Sequence, residues 1–383
     1  MQNVSSSNSE KALVPKLRFP EFTDVWEENR IGNLVDFIKG APLSKNDISI
    51  SGNPLILYGE LYTTYKEITH NVFRKTTIEV DKKHLSQSGD VLIPTSGETP
   101  EEIATATCVM MDNVVLAGDL IILRDSSLDG QILSYIINHK VNRKISRIAQ
   151  GKSVVHVQPK EIAKINICYP NRKEQNKLAS FLELINKKIQ LQQQLIENLK
   201  LYKRGVLSLL FNRNGNWKKV KISDCLMYEQ PQKYIVKSEH YNDTFEIPVL
   251  TANKAFILGY TNEKQGVYNK GNVIIYDDFT MELKFVNFPF KIKSSTIKLL
   301  TTKGENDLYF MFCLLKNMNL KPESHQRTYI SRVEKAEIFI PDLKVQTEIS
   351  LILSKLDRRL SIYENLQRKN INTKSALLQQ LFI

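Results

Sequence analysis

The chain has 383 residues, 42% of them hydrophobic and 25% charged, a make-up that gives room for two cores of ordinary size and excludes an extended disordered protein. Its net charge of +12 fits a polyanionic partner and is unevenly spread: residues 26–170 hold 16 Lys/Arg against 17 Asp/Glu and residues 213–341 hold 19 against 14, whereas residues 171–212 hold 8 against 3 and residues 342–383 hold 7 against 4. No run reaches the length of a membrane span, Met1–Glu10 lacks the basic and apolar parts of a signal peptide, and four cysteines and six histidines lie scattered without metal or redox spacing, so a cytoplasmic protein with reduced thiols and no structural metal is expected.

Residues 1–25 read as an N-terminal arm containing Val14-Pro15-Lys16-Leu17-Arg18-Phe19-Pro20. A first globular head, residues 26–170, opens at Trp26 and Ile31. Short strands are predicted around Leu55–Tyr58, Val91–Pro94, Val114–Leu116 and Leu120–Leu123, set off by turns at Gly52-Asn53-Pro54 and Ser88-Gly89-Asp90. The head closes with a helix marked by Leu133, Ile136, Ile137, Val141, Ile145 and Ile148, then the loop Gln150-Gly151-Lys152-Ser153 and a last strand. Residues 171–212 form one long helix. Asn171 and Glu174 make a capping-box pattern at its start, and Leu178, Leu182, Ile185 and Ile189 step by threes and fours like the seam between packed helices. About forty residues make a rod of roughly 60 Å, well beyond the roughly 20 residues of ordinary globular helices. A helix pair that holds two other bodies apart is therefore expected.

A second head, residues 213–341, opens at Trp217 and Ile222, five residues apart as in the first. Strands are predicted at Ile247–Leu250, Val273–Tyr276 and Thr296–Leu299, followed by a helix that starts from a Thr302/Glu305 capping pattern and runs through Phe310, Cys313 and Leu314 to the loop Pro322-Glu323-Ser324-His325-Gln326-Arg327. Residues 342–383 form the second long helix, capped by Asp342, with Ile349, Leu353, Leu356 and Leu360 as its seam. The second half rewrites the first. A constant offset of 171 aligns Pro170–Phe211 with Pro341–Phe382 without a gap, pairing Gln175 with Gln346, Leu178 with Ile349 and Phe211 with Phe382. Gly89-Asp90-Val91-Leu92-Ile93 likewise matches Gly271-Asn272-Val273-Ile274-Ile275, while the loops that follow differ. The fold class expected is α+β: two pseudo-symmetric α/β heads on two long coiled-coil-like helices.

Loop side chains that donate and accept hydrogen bonds are the ones that contact phosphates and read base edges. In the first head the candidates are Thr95 and Ser96 after the central strand, Arg143 and Lys144 on the closing helix, and Lys152, Ser153 and His156 in the loop behind it. In the second they are His325, Gln326, Arg327 and Tyr329, at the same point of the module. Motifs for bond-making chemistry do not complete. Asn287-Phe288-Pro289-Phe290 resembles an adenine-methyltransferase element but lacks its first proline and any Gly-rich cofactor turn; Asp278, Glu282 and Lys284 stand closer together than nuclease metal ligands do. No catalytic residue and no metal ligand is assigned.

Arm, head, helix, head and helix, with the matched tracts Pro170–Phe211 and Pro341–Phe382 and the run Gly89–Pro94, resemble the DNA specificity subunits of type I restriction-modification systems over essentially the whole chain. The resemblance implies two target-recognition domains, each reading one half of an asymmetric bipartite site in double-stranded DNA, and antiparallel helices that set the unread gap. It implies two methyltransferase subunits as partners and two motor-nuclease restriction subunits in the full complex. No cofactor is expected in this chain; S-adenosylmethionine, ATP and magnesium belong to those partners, and the subunit itself is non-catalytic. The alternative that the residues leave open is a two-headed coiled-coil scaffold that binds protein partners without reading DNA.

Overall fold

The computed structural model describes residues 13–124, 127–151, 153–212, 217–251, 256–320 and 327–383. The chain is α+β and divides into two units, residues 1–191 with 367–383, and residues 192–366. Two helices dominate its length, Arg172–Phe211 and Leu343–Leu381. Among the described residues no helix is long and apolar enough to cross a membrane.

In the first unit, Glu27–Arg30 pairs antiparallel with Asn166–Tyr169, and the chain passes from the latter into the first long helix. Between them lies a five-stranded sheet in the order Asp36–Lys39, Leu120–Arg124, Asp90–Pro94, Thr107–Val109, Ile68–Thr69. Its middle strand, Asp90–Pro94, is buried along its whole length, because successive side chains point to opposite faces and both faces are covered. Val91 and Ile93 face a core shared with Ile132, Leu133 and Ile136; Leu92 and Ile122 face another with Ile56 and Leu116. A three-stranded sheet, Arg74–Thr76, Asn53–Leu57 and Val115–Ala117, supports that second face. Gly130 is required where the closing helix meets the sheet, since a Cβ there would lie 1.9 Å from the Gly89 carbonyl oxygen.

The closing helix is not one regular helix, as its spacing predicts, but Gly130–Ile136 and Asn142–Ile148 joined by a π turn, Ile137–Val141. The cause is Asn138. Its side-chain amide donates to the Ser134 carbonyl (2.9 Å) and the Ala106 carbonyl (2.7 Å), intruding on the i→i−4 ladder.

The second unit repeats this plan with its own lengths. Lys218–Lys221 pairs with Glu337–Ile340, and a four-stranded antiparallel sheet runs Leu226–Glu229, Ile297–Thr302, Val273–Asp277, Leu283–Val286. A three-stranded sheet again combines one antiparallel and one parallel pair, Ile257–Thr261 and Lys291–Ile292 on either side of Ile247–Leu250. The closing helix, Leu308–Asn317, starts later than the Thr302/Glu305 pattern predicts. Thr302 is still in the sheet, paired with Leu226, and the cap is Asp307, whose carboxylate accepts from the Phe310 amide at 2.8 Å.

The two units are pinned in the same way. Gln175 accepts from the amide of the capping residue Asp129 (2.7 Å) and donates to the Pro170 carbonyl (2.8 Å); Gln346 accepts from the Asp307 amide (2.9 Å) and donates to the Pro341 carbonyl (3.0 Å). Trp26 meets Phe382 edge to face at 6.2 Å, and Trp217 meets Phe211 in the same way at 6.3 Å. Each head is thus bolted at its opening tryptophan to the phenylalanine at the C-terminal end of a long helix, the first head to Phe382 just past the second helix and the second head to Phe211 of the first. The arm completes the first unit: Arg18 makes two bonds to the Glu174 carboxylate, 2.8 and 2.7 Å, and the Leu17 amide donates to the Gln380 carbonyl. The expected capping box at Asn171 is consequently half formed. Asn171 accepts from the Glu174 amide, while the Glu174 carboxylate turns to Arg18.

Candidate nucleic-acid interface

After Pro94 the central strand of the first head leaves the sheet and pairs a second time, as Ser96–Gly97 against Val155–His156, with Ser96 opposite His156. The Thr95 amide donates to the Asp119 carbonyl (2.7 Å), and its carbonyl accepts from the Val157 amide (3.1 Å). These bonds bring Thr95, Ser96 and His156 together. Thr95 is half-buried. Ser96 is buried, its hydroxyl donating to Asp119 Oδ2 at 2.8 Å and lying 2.8 Å from His156 Nδ1. His156 and Ser153 are exposed on the hairpin closed by reciprocal backbone bonds between Gln150 and His156. Lys152 lies outside the described residues. Asp119 escapes a reading of the sequence because it sits on a different turn, 23 positions from Ser96.

Arg143 and Lys144 are exposed on Asn142–Ile148, and Arg147 follows Arg143 one turn later on the same edge. Arg143 and Arg147 border an open cleft with Asn142, Ser146 and Glu101. The Lys144 amine reaches the Asn166 carbonyl at 3.4 Å. Two guanidinium groups one turn apart on a helix make a fixed positive edge suited to a phosphate. The facing loop is shaped by Glu102, whose carboxylate accepts from the Glu98 and Thr99 amides.

The second head reproduces the backbone of this site with other side chains. The Asp278 amide donates to the Thr296 carbonyl (3.0 Å), and the Asp278 carbonyl accepts from the Thr328 amide (3.1 Å). Asp278 therefore holds the place of Thr95, Thr328 that of Val157, and Arg327 that of His156, so the strand Val273–Asp277 sits one position on from the match of Gly89–Ile93 with Gly271–Ile275, which pairs Thr95 with Asp277. Arg327 is exposed; His325 and Gln326 lie outside the described residues. Tyr329 is 1% exposed and sits 5.4 Å from both the Tyr228 and Tyr276 rings. Burial pushes its phenol up, and its oxygen has no hydrogen-bond partner among the described residues. Tyr329 thus backs the site from inside. Burial likewise pushes the Tyr276 phenol up to about 12, against the hydrogen bond with Thr328.

Beneath Arg327 lies an ion pair that the sequence reading missed. Lys298 Nζ is 3.5 Å from Asp278 Oδ2, with both side chains 2% exposed. The amine also donates to Gln230 Oε1 (2.9 Å) and lies 5.2 Å from the centre of the Tyr228 ring. Asp278 Oδ1 accepts from the Thr328 and Tyr329 amides at 3.1 and 2.8 Å. Buried charge of this kind is tolerated only when paired and hydrogen-bonded. The signal available beforehand was a lysine inside the apolar strand Ile297–Thr302. Asp278 so belongs to the scaffold of the turn. Phe290 of the methyltransferase-like tetrapeptide is core, stacked on Tyr268 at 5.0 Å.

The seam residues divide in two. Leu178 and Leu182 are buried in the core of the first head, Ile349 and Leu353 in that of the second, so the start of each helix covers its own head. Ile185 packs at the edge of the first core; Ile189 and Leu356 are half-buried and Leu360 is buried. Within the second unit the two helices run antiparallel, held by Gln192 to the Tyr363 carbonyl (3.1 Å), Lys200 to Glu364 (2.7 Å) and Lys203 to Asp357.

A family model described as the type I restriction modification DNA specificity domain matches residues 23–201 and again residues 214–372. The chain is 41% identical over 167 residues to the type I restriction enzyme EcoR124I/EcoR124II specificity subunit of Escherichia coli. That match takes in 39% of this chain and 41% of the relative, so it spans about two fifths of the relative's length. The fold is similar to a crystal structure of the type I restriction-modification system S subunit from M. genitalium, with TM-score 0.71 and 15% identity over 96% of this chain and 99% of that one. It is also similar to a structure described for complex assembly and conformational transition of the type I R-M system, with TM-score 0.53 and 14% identity over 93% and 97% of the two chains.

Proposed function

The chain belongs to the type I restriction modification DNA specificity family, and on that premise we propose that it selects the DNA sequence for a type I restriction-modification assembly in the cytoplasm. Each head reads one half of an asymmetric two-part site in double-stranded DNA, and the long helices set the gap. The observation that carries this reading is the duplicated pin, Gln175–Asp129 and Gln346–Asp307 with Trp26–Phe382 and Trp217–Phe211. It keeps one frame under two heads whose exposed loops differ, as Arg327 differs from His156 at equivalent backbone positions. Exposed basic groups, Arg143 and Lys144 in one head and Arg327 in the other, supply the phosphate and base contacts.

Two methyltransferase subunits dock on the helices, and two restriction subunits join them in the full complex. A repeated surface supports paired identical partners: Leu191 and Leu195 are exposed on the first helix, and Ile362 and Leu366, 171 positions later, on the second. The bond-making steps and their cofactors, S-adenosylmethionine, ATP and magnesium, belong to those partners. The test is adenine-methylation mapping in a host without other methylation, with this chain co-expressed beside a type I methyltransferase subunit. The expected result is methylation at one bipartite motif of constant gap, lost when this chain is omitted. A stable complex that methylates nothing, or methylation that persists without this chain, would refute the reading.

A further inference from the structure

The hydrogen-bond polarity around His156 deepens the DNA-reading function proposed above, on which this inference rests. Ser96 and His156 are opposed partners on antiparallel strands, so their side chains share one face. Ser96 Oγ lies 2.8 Å from Asp119 Oδ2 and 2.8 Å from His156 Nδ1. A carboxylate can only accept, and a serine hydroxyl has one proton. That proton therefore goes to Asp119, and what Ser96 turns toward the ring is a lone pair. His156 must then carry its hydrogen on Nδ1. The ring's backbone is held as well, its amide and carbonyl both bonded to Gln150, and Ser96 is 4% exposed and enclosed.

We infer that the Nδ1-protonated tautomer of His156 presents Nε2 as a bare acceptor and thereby selects, in the half-site read by the first head, a base with an exocyclic amine on its major-groove edge, adenine or cytosine. Guanine and thymine offer acceptors at the corresponding positions of that groove, and two acceptors face each other unfavourably. Asp119 and Ser96 are positioning residues, setting which ring nitrogen is free. In the second head the equivalent position is Arg327, a pure donor, so the two heads read opposite polarity from the same place.

The experiment uses the full chain with its methyltransferase subunits and duplexes carrying the mapped motif, at pH 8. Single adenines are replaced by purine and single cytosines by pyrimidin-2-one, each removing only the amine. For the unaltered protein, one such replacement in one half-site is expected to weaken binding about tenfold. In His156→Ala the same replacement costs nothing further, and Ser96→Ala reduces the penalty while leaving the salt dependence of binding unchanged. If every amine deletion costs the unaltered protein and His156→Ala equally while the motif is still bound specifically, the inference is overturned and the DNA-reading function stands. If no motif is bound at all, the functional reading itself has failed and takes this one with it. Should His156→Ala not fold, 15N spectra of the histidine-labelled chain read the tautomer directly. An Nδ1-protonated ring is expected, and a neutral ring protonated on Nε2 would overturn the proposal.

Discussion

Arg18 and Glu174 are 10% and 1% exposed at their side chains and share two short bonds. Removing one partner of such a pair strands a buried charge, so Arg18→Ala is expected to lower stability by about 3–5 kcal/mol, read as a shift in the urea midpoint of the first unit. A loss under about 1 kcal/mol would mean that water reaches Glu174. Glu67 gives the chain a pH-dependent contact. Burial drives its carboxyl up, but the hydrogen bond from His139 (2.9 Å) and the charge of Lys374 (3.1 Å) outweigh burial and bring it down to about 2 from an ordinary 4.5. Because the folded-state pKa is depressed, the resulting stability is present above about pH 4.5 and lost as pH falls toward 2, at most about 3 kcal/mol. Comparing unfolding midpoints of the unaltered chain and Glu67→Gln across that range tests this. The gap between them is expected to close with falling pH, and a constant gap would contradict the assignment. At the proposed DNA surface, Arg143→Ala with Lys144→Ala is expected to weaken binding uniformly over sequences and to flatten its salt dependence, whereas Arg327→Ala relaxes one base position by about 1–3 kcal/mol. Equal salt slopes before and after the first change would remove those two residues from the phosphate contacts.

Elements were legible to different degrees, for a physical reason in each case. The strand Asp90–Pro94 and its counterpart Val273–Asp277 were plain from short apolar runs bounded by turns, and both long helices from sustained spacing and local caps. The start of Leu308–Asn317 was misread because Thr302 and Asp307 both offer a capping side chain, and only strand pairing removes Thr302 from the choice. The break at Ile137–Val141 was invisible because Asn138 disrupts the helix by reaching Ala106, 32 residues away. Gln175 and Gln346 stood out as a repeat match, while their role as the tie between long helix and capping aspartate required the fold. Gln175→Ala and Gln346→Ala should each cost about 1–2 kcal/mol locally. Hydrogen exchange at the first turns of the two closing helices is the suitable measurement, since a chain of two units need not unfold in one step. Unchanged protection of the amides at 129–132 and 307–310 would contradict the tie.

For the molecule as a whole, the proposed ruler makes a numerical expectation. Deleting one heptad from each long helix shortens each by about 10 Å, the length of about 3 base pairs, and the preferred gap of the methylated motif should shrink accordingly. An unchanged gap with retained methylation would separate the helices from the spacing of the half-sites. The sequence by itself determined the duplicated plan, the α+β class, both long helices and the basic character of the helix segment that carries Arg143, Lys144 and Arg147, because periodicity, caps and charge are local or repeat at a constant offset. Only the tertiary structure decided which candidates stand at a surface and with what polarity. Ser96 and Tyr329 turn inward, Lys298 and Asp278 pair in the interior, and His156 has its tautomer set by Ser96 and Asp119. Those outcomes depend on hydrogen-bond partners far apart in sequence, brought together by strand pairing and burial, and no local pattern of residue types encodes them.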